Sequence, residues 1–353
     1  METQNVKTFI IEDSYVAEAG INEWISGGKG NVETIAENLT IYPWRTKEVV
    51  NLLQWMRNYN LTEIEKEQIR FFGMDIQVVT NINNEIHDAI NEYNITVSDE
   101  LLSIMDKCVE KKIVYNYGKE NNWADTYIPR LNELENILLK FKINLAKENT
   151  EQLDKAIRAL AYIIKYTYYI QNHYSQDRDL KMYENVKWIV ENKSNNGKAF
   201  IWAHNEHINN RGFLNYTTRK IHNLGWHLKQ QFKDDYYSVG FDFGKGALRS
   251  YIINDDQSRE WQIYNLEKPY PKTYAETLIE AEDDIYFIDM ANALKGSAAK
   301  FFDKKKKQLL LGGPGYNLID IDHNFQKKRF SKAFDGLIFV ESISPPNRNL
   351  RTD

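Results

Sequence analysis

The run TFIIE, Thr8 to Glu12, decides how the rest of the chain is read: a short, almost wholly apolar stretch of strand-forming residues that stops at a carboxylate. Five further runs repeat the pattern: IRFFGMD to Asp75, AFIWAH to His204, YSVGFD to Asp242, IYFID to Asp289 and LIFVE to Glu341. Continuous rather than alternating apolar runs mark strands covered on both faces, and helical patterns lie between many of them. The expected fold class is α/β, with a mainly parallel sheet flanked by helices in three layers. In such sheets ligands gather beyond the carboxyl ends of the strands, so the polar residues closing the six runs are the first candidates for a site.

Between residues 79 and 195 the texture changes. LNELENILLKFKINLAKE and LDKAIRALAYIIKYTYYIQNHY repeat apolar residues three and four apart, with few Gly or Pro, which predicts long amphipathic helices. The expected organisation is a first part of the α/β core over 1–78, a large helical insertion over 79–195, and a second part of the core over 196–353. The aromatic-rich helices of the insertion are expected to wall a wide apolar cleft. A shorter helix precedes it: Thr46 has the character of an N-cap, and Val49, Leu52, Leu53 and Met56 follow on one face.

The chain has 353 residues, 42% of them hydrophobic and 13% aromatic, so it can bury a substantial core. No run reaches the length of about 18 apolar residues that a membrane span needs, and no membrane association is expected. The net charge of −5 argues against a nucleic-acid partner, and the run Lys304 to Lys307 reads as a solvated turn before the strand LLLGG. One cysteine, Cys108, rules out an internal disulfide framework and suits a reducing compartment. The N-terminus METQNVKTFIIED carries no secretory pattern, and a cytoplasmic location is the expectation. Oligomeric state is not legible.

Neither a Gly-x-Ser-x-Gly elbow nor a local cysteine-nucleophile signature is present. The segment Gly240 to Gly246 falls short of a phosphate-binding loop, and GGPGY, Gly312 to Tyr316, reads as a turn, so no nucleotide cofactor is expected. His204-Asn-Glu-His207 is different. It follows a strand directly and sets two imidazoles three residues apart, on one side of a helical turn. Imidazole suits proton transfer near neutral pH. Two other roles stay open on residue type: a structural one, each ring bonded to a neighbouring loop, and a metal site with Glu12 as third ligand.

AHNEH resembles the His-Asn-x-His element of the erythromycin esterase family, and the similarity extends in order along nearly the whole chain. FIIEDS resembles the family's strand ending in a functional glutamate. YPWRTKEVVNLLQWMRNYN resembles its Trp-x-Thr to Trp-x-Arg-x-Tyr-Asn segment, and IRFFGMDIQ its Gly-x-Asp-x-Gln. DRDLKMYENVKWI is similar to the helix preceding the histidine strand, and LGWHLKQQFKDDYYSVGFDFGKG and FDGLIFVESISP to later sheet segments. The resemblance implies hydrolysis of the lactone ester of a macrolide antibiotic, or a related small-molecule ester, by histidine-activated water. It implies no metal or other cofactor, and a cleft between an α/β core and helical elements. Carried over by position, the implied site residues are Glu12, Arg178, His204 and His207, with Asp75 a second-tier candidate of more structural than chemical character. The family also has a strand ending in Gly-Glu-x-x-His-Gly, whose histidine is the implied general base, and this chain has no such motif. The expectation is therefore either a shortened version of a longer protein or a divergent member without its principal base. The alternatives are a non-catalytic binder of macrolides or other small molecules and a metallohydrolase using His204, His207 and Glu12.

Overall fold

β1 (Thr8–Ser14) is buried along its whole length because it is the middle strand of a three-stranded parallel sheet, flanked by β2 (Arg70–Asp75) and β3 (Ala199–Trp202) in the order β2-β1-β3. The computed structural model describes residues 2–110, 123–145, 150–171, 177–214, 220–311 and 315–347. Two contact units divide the chain, one over 1–202 with 350–353 and one over 203–349.

In the first unit the alternating faces of β1 and β2 bury different partners, as a pleated strand requires. Phe9, Ile11 and Phe71 pack with α1 (Ile21–Ile25), α2 (Val32–Ala36) and α3 (Lys47–Asn60). α3 starts where its side chains dictate: Thr46 accepts a hydrogen bond from the Val49 amide, and Val49, Leu53 and Met56 are buried. The opposite face meets the long helices. After α4 (Asn83–Glu92), α5 (Asp99–Val109) and α6 (Trp123–Ile143) come α7 (Glu151–Gln171) and α8 (Asp177–Lys193). Tyr162 of α7 donates to the Gly73 carbonyl at 2.7 Å, and Asn185 of α8 to that of Met74 at 2.7 Å. Helices thus cover both faces of the sheet. Gly73 is obligatory here, because a Cβ would sit 2.4 Å from the Ser14 carbonyl oxygen.

α4 to α7 share a core that includes Ile86, Met105, Leu134 and Leu160. Tyr162, Tyr166 and Tyr169 are buried in it, so these rings fill the helix core and do not face solvent; Tyr168 is the exposed one. Cys108 is buried there too, its thiol pushed up to about 12 by burial, which keeps it unreactive. Residues 146–148 and 172–174 of the two amphipathic patterns, and 312–314 of the GGPGY turn, lie outside the described residues.

The second unit opens with α9 (Asn205–Ile208), the short strands β4 (Phe213–Leu214) and β5 (Lys220–Ile221), and α10 (Leu224–Phe232). Its mixed sheet is built on β6 (Val239–Ile253) and β7 (Arg259–Leu266), followed after α11 (Ala275–Leu278) by β8 (Ile285–Asp289). α12 (Met290–Ala293), α13 (Ala299–Asp303), β9 (Lys306–Leu309), β10 (Tyr316–Asn317), β11 (Phe325–Lys328), α14 (Phe330–Ala333) and β12 (Gly336–Ile343) complete it. The order is β10-β6-β12-β8, with β6 and β12 parallel, β8 antiparallel to β12, and β7 antiparallel to the second half of β6. The core beneath holds Tyr274, Phe330, Phe334 and Phe339.

All six apolar runs are strands, three in each sheet. Three of them run past the polar residue, β1 continuing beyond Glu12 to Ser14, and β3 stops at Trp202, short of His204. β6 runs past Asp242 to Ile253, turning at Gly246, which has φ +117° and changes partner from β12 to β7. β12 likewise continues past Glu341 to Ile343. The Lys304 to Lys307 run is only half a turn: Lys306 and Lys307 belong to β9, paired antiparallel with β11. Among the described residues, no helix is long and apolar enough to cross a membrane.

Candidate active site

Parallel strands β1 and β2 end side by side, and their ends carry Glu12 and Asp75. Arg178, in the first turn of α8, reaches both. Its Nε donates to Asp75 Oδ1 at 2.9 Å and its Nη2 to Asp75 Oδ2 at 2.8 Å, a fork-on-carboxylate pair, while Nη2 also donates to Glu12 Oε1 at 2.9 Å. Asp75 is wholly buried, and the Glu12 and Arg178 side chains are only 11% and 18% exposed. Burial by itself lowers a guanidinium pKa, but Asp75 foremost, then Glu12 and Asp179, outweigh it and carry Arg178 above its ordinary value. Arg178 is therefore a permanent, positionally fixed cation.

The frame around it explains neighbouring sequence. Trp44 Nε1 donates to the Glu12 carbonyl at 2.7 Å, holding the end of β1. Asp13 is fully buried and accepts from the Thr40 amide and hydroxyl and the Ile41 amide, so it pins the loop before the Tyr-Pro-Trp turn. Burial pushes its carboxyl up to about 6 despite those donors.

In the second unit His204 is the N-cap of α9. Its Nδ1 accepts from the Glu206 amide at 3.2 Å, and its Nε2 lies 2.8 Å from the Leu311 carbonyl oxygen. A ring nitrogen that accepts an N–H is unprotonated, so the proton is on Nε2 and is donated to Leu311. The His207 ring stands edge-on at 6.5 Å between centroids, and both rings are half-buried. The two residues between them serve the fold. Asn205 closes a ring of two hydrogen bonds with Phe241, donating to its carbonyl at 2.6 Å and accepting from its amide at 3.0 Å, as a neighbouring strand would. Glu206 turns inward to an ion pair with Lys328.

The structure thus brings Glu12 and Arg178 together in the first unit and His204 and His207 together in the second. It promotes Asp75 from second-tier candidate to the principal partner of Arg178, and it gives Asn205 a backbone-mimicking role that sequence reasoning left unread. The Gly-x-Asp pattern at a strand end was the one signal for Asp75; Asn205 carried none. Among the described residues no group of three His, Cys, Asp or Glu side chains is placed to hold a metal ion, and the metallohydrolase alternative gains no support.

Fold and side chains define an α/β protein whose strand ends carry a buried arginine–carboxylate cluster and whose second unit opens on a histidine pair. The erythromycin esterase family model matches residues 1–343, and the chain belongs to that family. Erythromycin esterase type II of Escherichia coli is 23% identical over 370 residues, covering 98% of this chain and 84% of that protein. Among solved structures, a Bacillus cereus protein has a TM-score of 0.79 at 22% identity, over 99% of this chain and 84% of its own. A mutant of the erythromycin esterase EreC in its open conformation has a TM-score of 0.62 at 14% identity, over 99% of this chain and 85% of its own. At these identities the structural likenesses establish the fold alone.

Proposed function

We propose that the chain is a carboxylic ester hydrolase acting on a macrolide lactone or a related small-molecule ester, by histidine-based acid–base chemistry. Family membership over 1–343 supports the reaction class. The observation that carries the reading is Arg178, a fixed cation immobilised by a buried carboxylate fork. In this reading His207 takes a proton from the attacking water and returns it to the leaving alkoxide. His204, whose Nε2–H already donates to a carbonyl oxygen at 2.8 Å, donates instead to the ester carbonyl as negative charge develops there. Glu12 and Asp75 keep Arg178 in place.

Hydrolysis of erythromycin and of a simple aryl ester, followed by mass spectrometry for addition of one water, tests the reading. His207→Asn and Arg178→Gln are each expected to lower kcat/KM at least about 100-fold, a loss on the order of 3 kcal/mol of transition-state stabilisation. Undiminished turnover in both variants would sink it. The alternative, a binder of the same small molecules without turnover, would be selected by calorimetric binding of erythromycin with no product formed.

A further inference from the structure

The antiparallel pair β9–β11 sets Lys306 opposite Lys328 and Lys307 opposite Lys327. Like charges facing across a ladder destabilise it, so a strand pair that stacks them in succession needs a compensating charge. Lys328 finds Glu206, and Lys307 finds Asp322. Lys306 lies over the Phe301 ring at 4.6 Å. Lys327 is different: it lines a cavity of about 710 Å³ together with Arg211, Lys305, Lys328, Arg329 and Lys332. One carboxylate, Glu206, lines the same cavity. Among the described residues, none of these cations but Lys328 has a carboxylate within ion-pair distance. In a chain of net charge −5, that concentration of positive charge is local.

Two further features say what else the ligand carries. Glu206 is 9% exposed, and its Oε2 has no hydrogen-bond partner among the described residues. A buried acceptor left unmatched is costly, and a hydroxyl from a ligand would satisfy it. Arg211 and Lys332 also wall an adjoining hollow of about 250 Å³, where they meet Trp226, itself stacked on His222 at 3.8 Å between ring centroids. An aromatic face beside a cationic basin suits a planar organic group attached to the anionic one.

We propose that this cavity binds a small hydroxyl-bearing organic molecule carrying two or more phosphate groups. Lys327, Lys305 and Lys332 act as point charges on the phosphates, and Arg211 and Arg329 bring the forked donors that match phosphate oxygens. The site lies entirely in the second unit and does not rest on ester hydrolysis.

Titration calorimetry of the full chain at about 50 mM salt, where screening is modest, tests it with ADP, inorganic pyrophosphate and citrate as probes. The expected result is saturable 1:1 binding of ADP, weaker binding of pyrophosphate, and binding of citrate at least about tenfold weaker than pyrophosphate. The double variant Lys327→Gln with Lys332→Gln, both exposed side chains, is expected to weaken ADP at least about tenfold without moving the melting temperature of the ligand-free protein. No saturable binding of ADP overturns the proposal. So does citrate binding as tightly as pyrophosphate, which would make the basin a general counter-ion cloud, or unchanged ADP affinity in the double variant.

Discussion

At Asp242 a carboxyl sits where its charged form is disfavoured. The residue is 4% exposed, one oxygen accepts the Phe243 amide, and the other has no partner among the described residues. Burial pushes its pKa from 3.8 up to about 7, with the Phe243 amide and Lys328 opposing the shift. In the pH range between those values the folded chain holds a proton that the unfolded chain has released. Stability from this group is therefore fully present below the unfolded value and is lost as pH rises through the folded one, at about 1.4 kcal/mol per pH unit in between. Asp242→Asn, which has no charge to bury, is expected to raise the melting temperature by several degrees at pH 8 and to change it little at pH 4. An equal shift at both pH values would refute the assignment. Nothing local marked this residue as buried and uncharged; read from the chain, it was one of six polar residues closing apolar runs.

Among the elements, α3 shows how much is local. Thr46 accepts from the Val49 amide at 3.3 Å, and both the cap and the buried positions Val49, Leu53 and Met56 follow from spacing within a few residues. Removing the cap with Thr46→Ala is expected to cost about 1 kcal/mol, read as a lower urea midpoint at unchanged slope. No measurable loss would mean that packing, not the cap, sets the start of α3. Strand ends were less legible than helix starts. A strand stops where its partners stop, and β6 gains a second partner, β7, at Gly246, so Asp242 lies inside the strand. The Lys304 to Lys307 run had the composition of a turn, yet pairing with β11 makes half of it a strand. In both cases the deciding contact is pairing with another strand, the hairpin partner β7 for β6 and the later strand β11 for β9.

Across the whole molecule, each unit has cores of its own, one set including Leu53 and Leu160, the other Tyr274 and Phe339. Chains built this way commonly depart from two-state unfolding. Differential scanning calorimetry is expected to give a van't Hoff enthalpy below the calorimetric one. Leu53→Ala and Phe339→Ala, each emptying a fully buried position, are expected to lower different components of the transition. A single two-state transition shifted alike by both would show that the units unfold as one.

By itself the sequence determined the α/β class, the six strands, the helical stretch and, through ordered motifs, the family. These depend on apolar period and on residues close together in the chain. Through the family resemblance it also offered Glu12, Arg178, His204 and His207 as candidates. What the tertiary structure alone decided is which groups meet: Asp75 as the main partner of Arg178, a backbone carbonyl on His204, and six cations around one cavity. The reason is physical. Side-chain periodicity is written along the chain, but hydrogen bonds and charge pairs form between strand and helix ends brought together by packing, and Arg178 and Glu12 lie 166 residues apart.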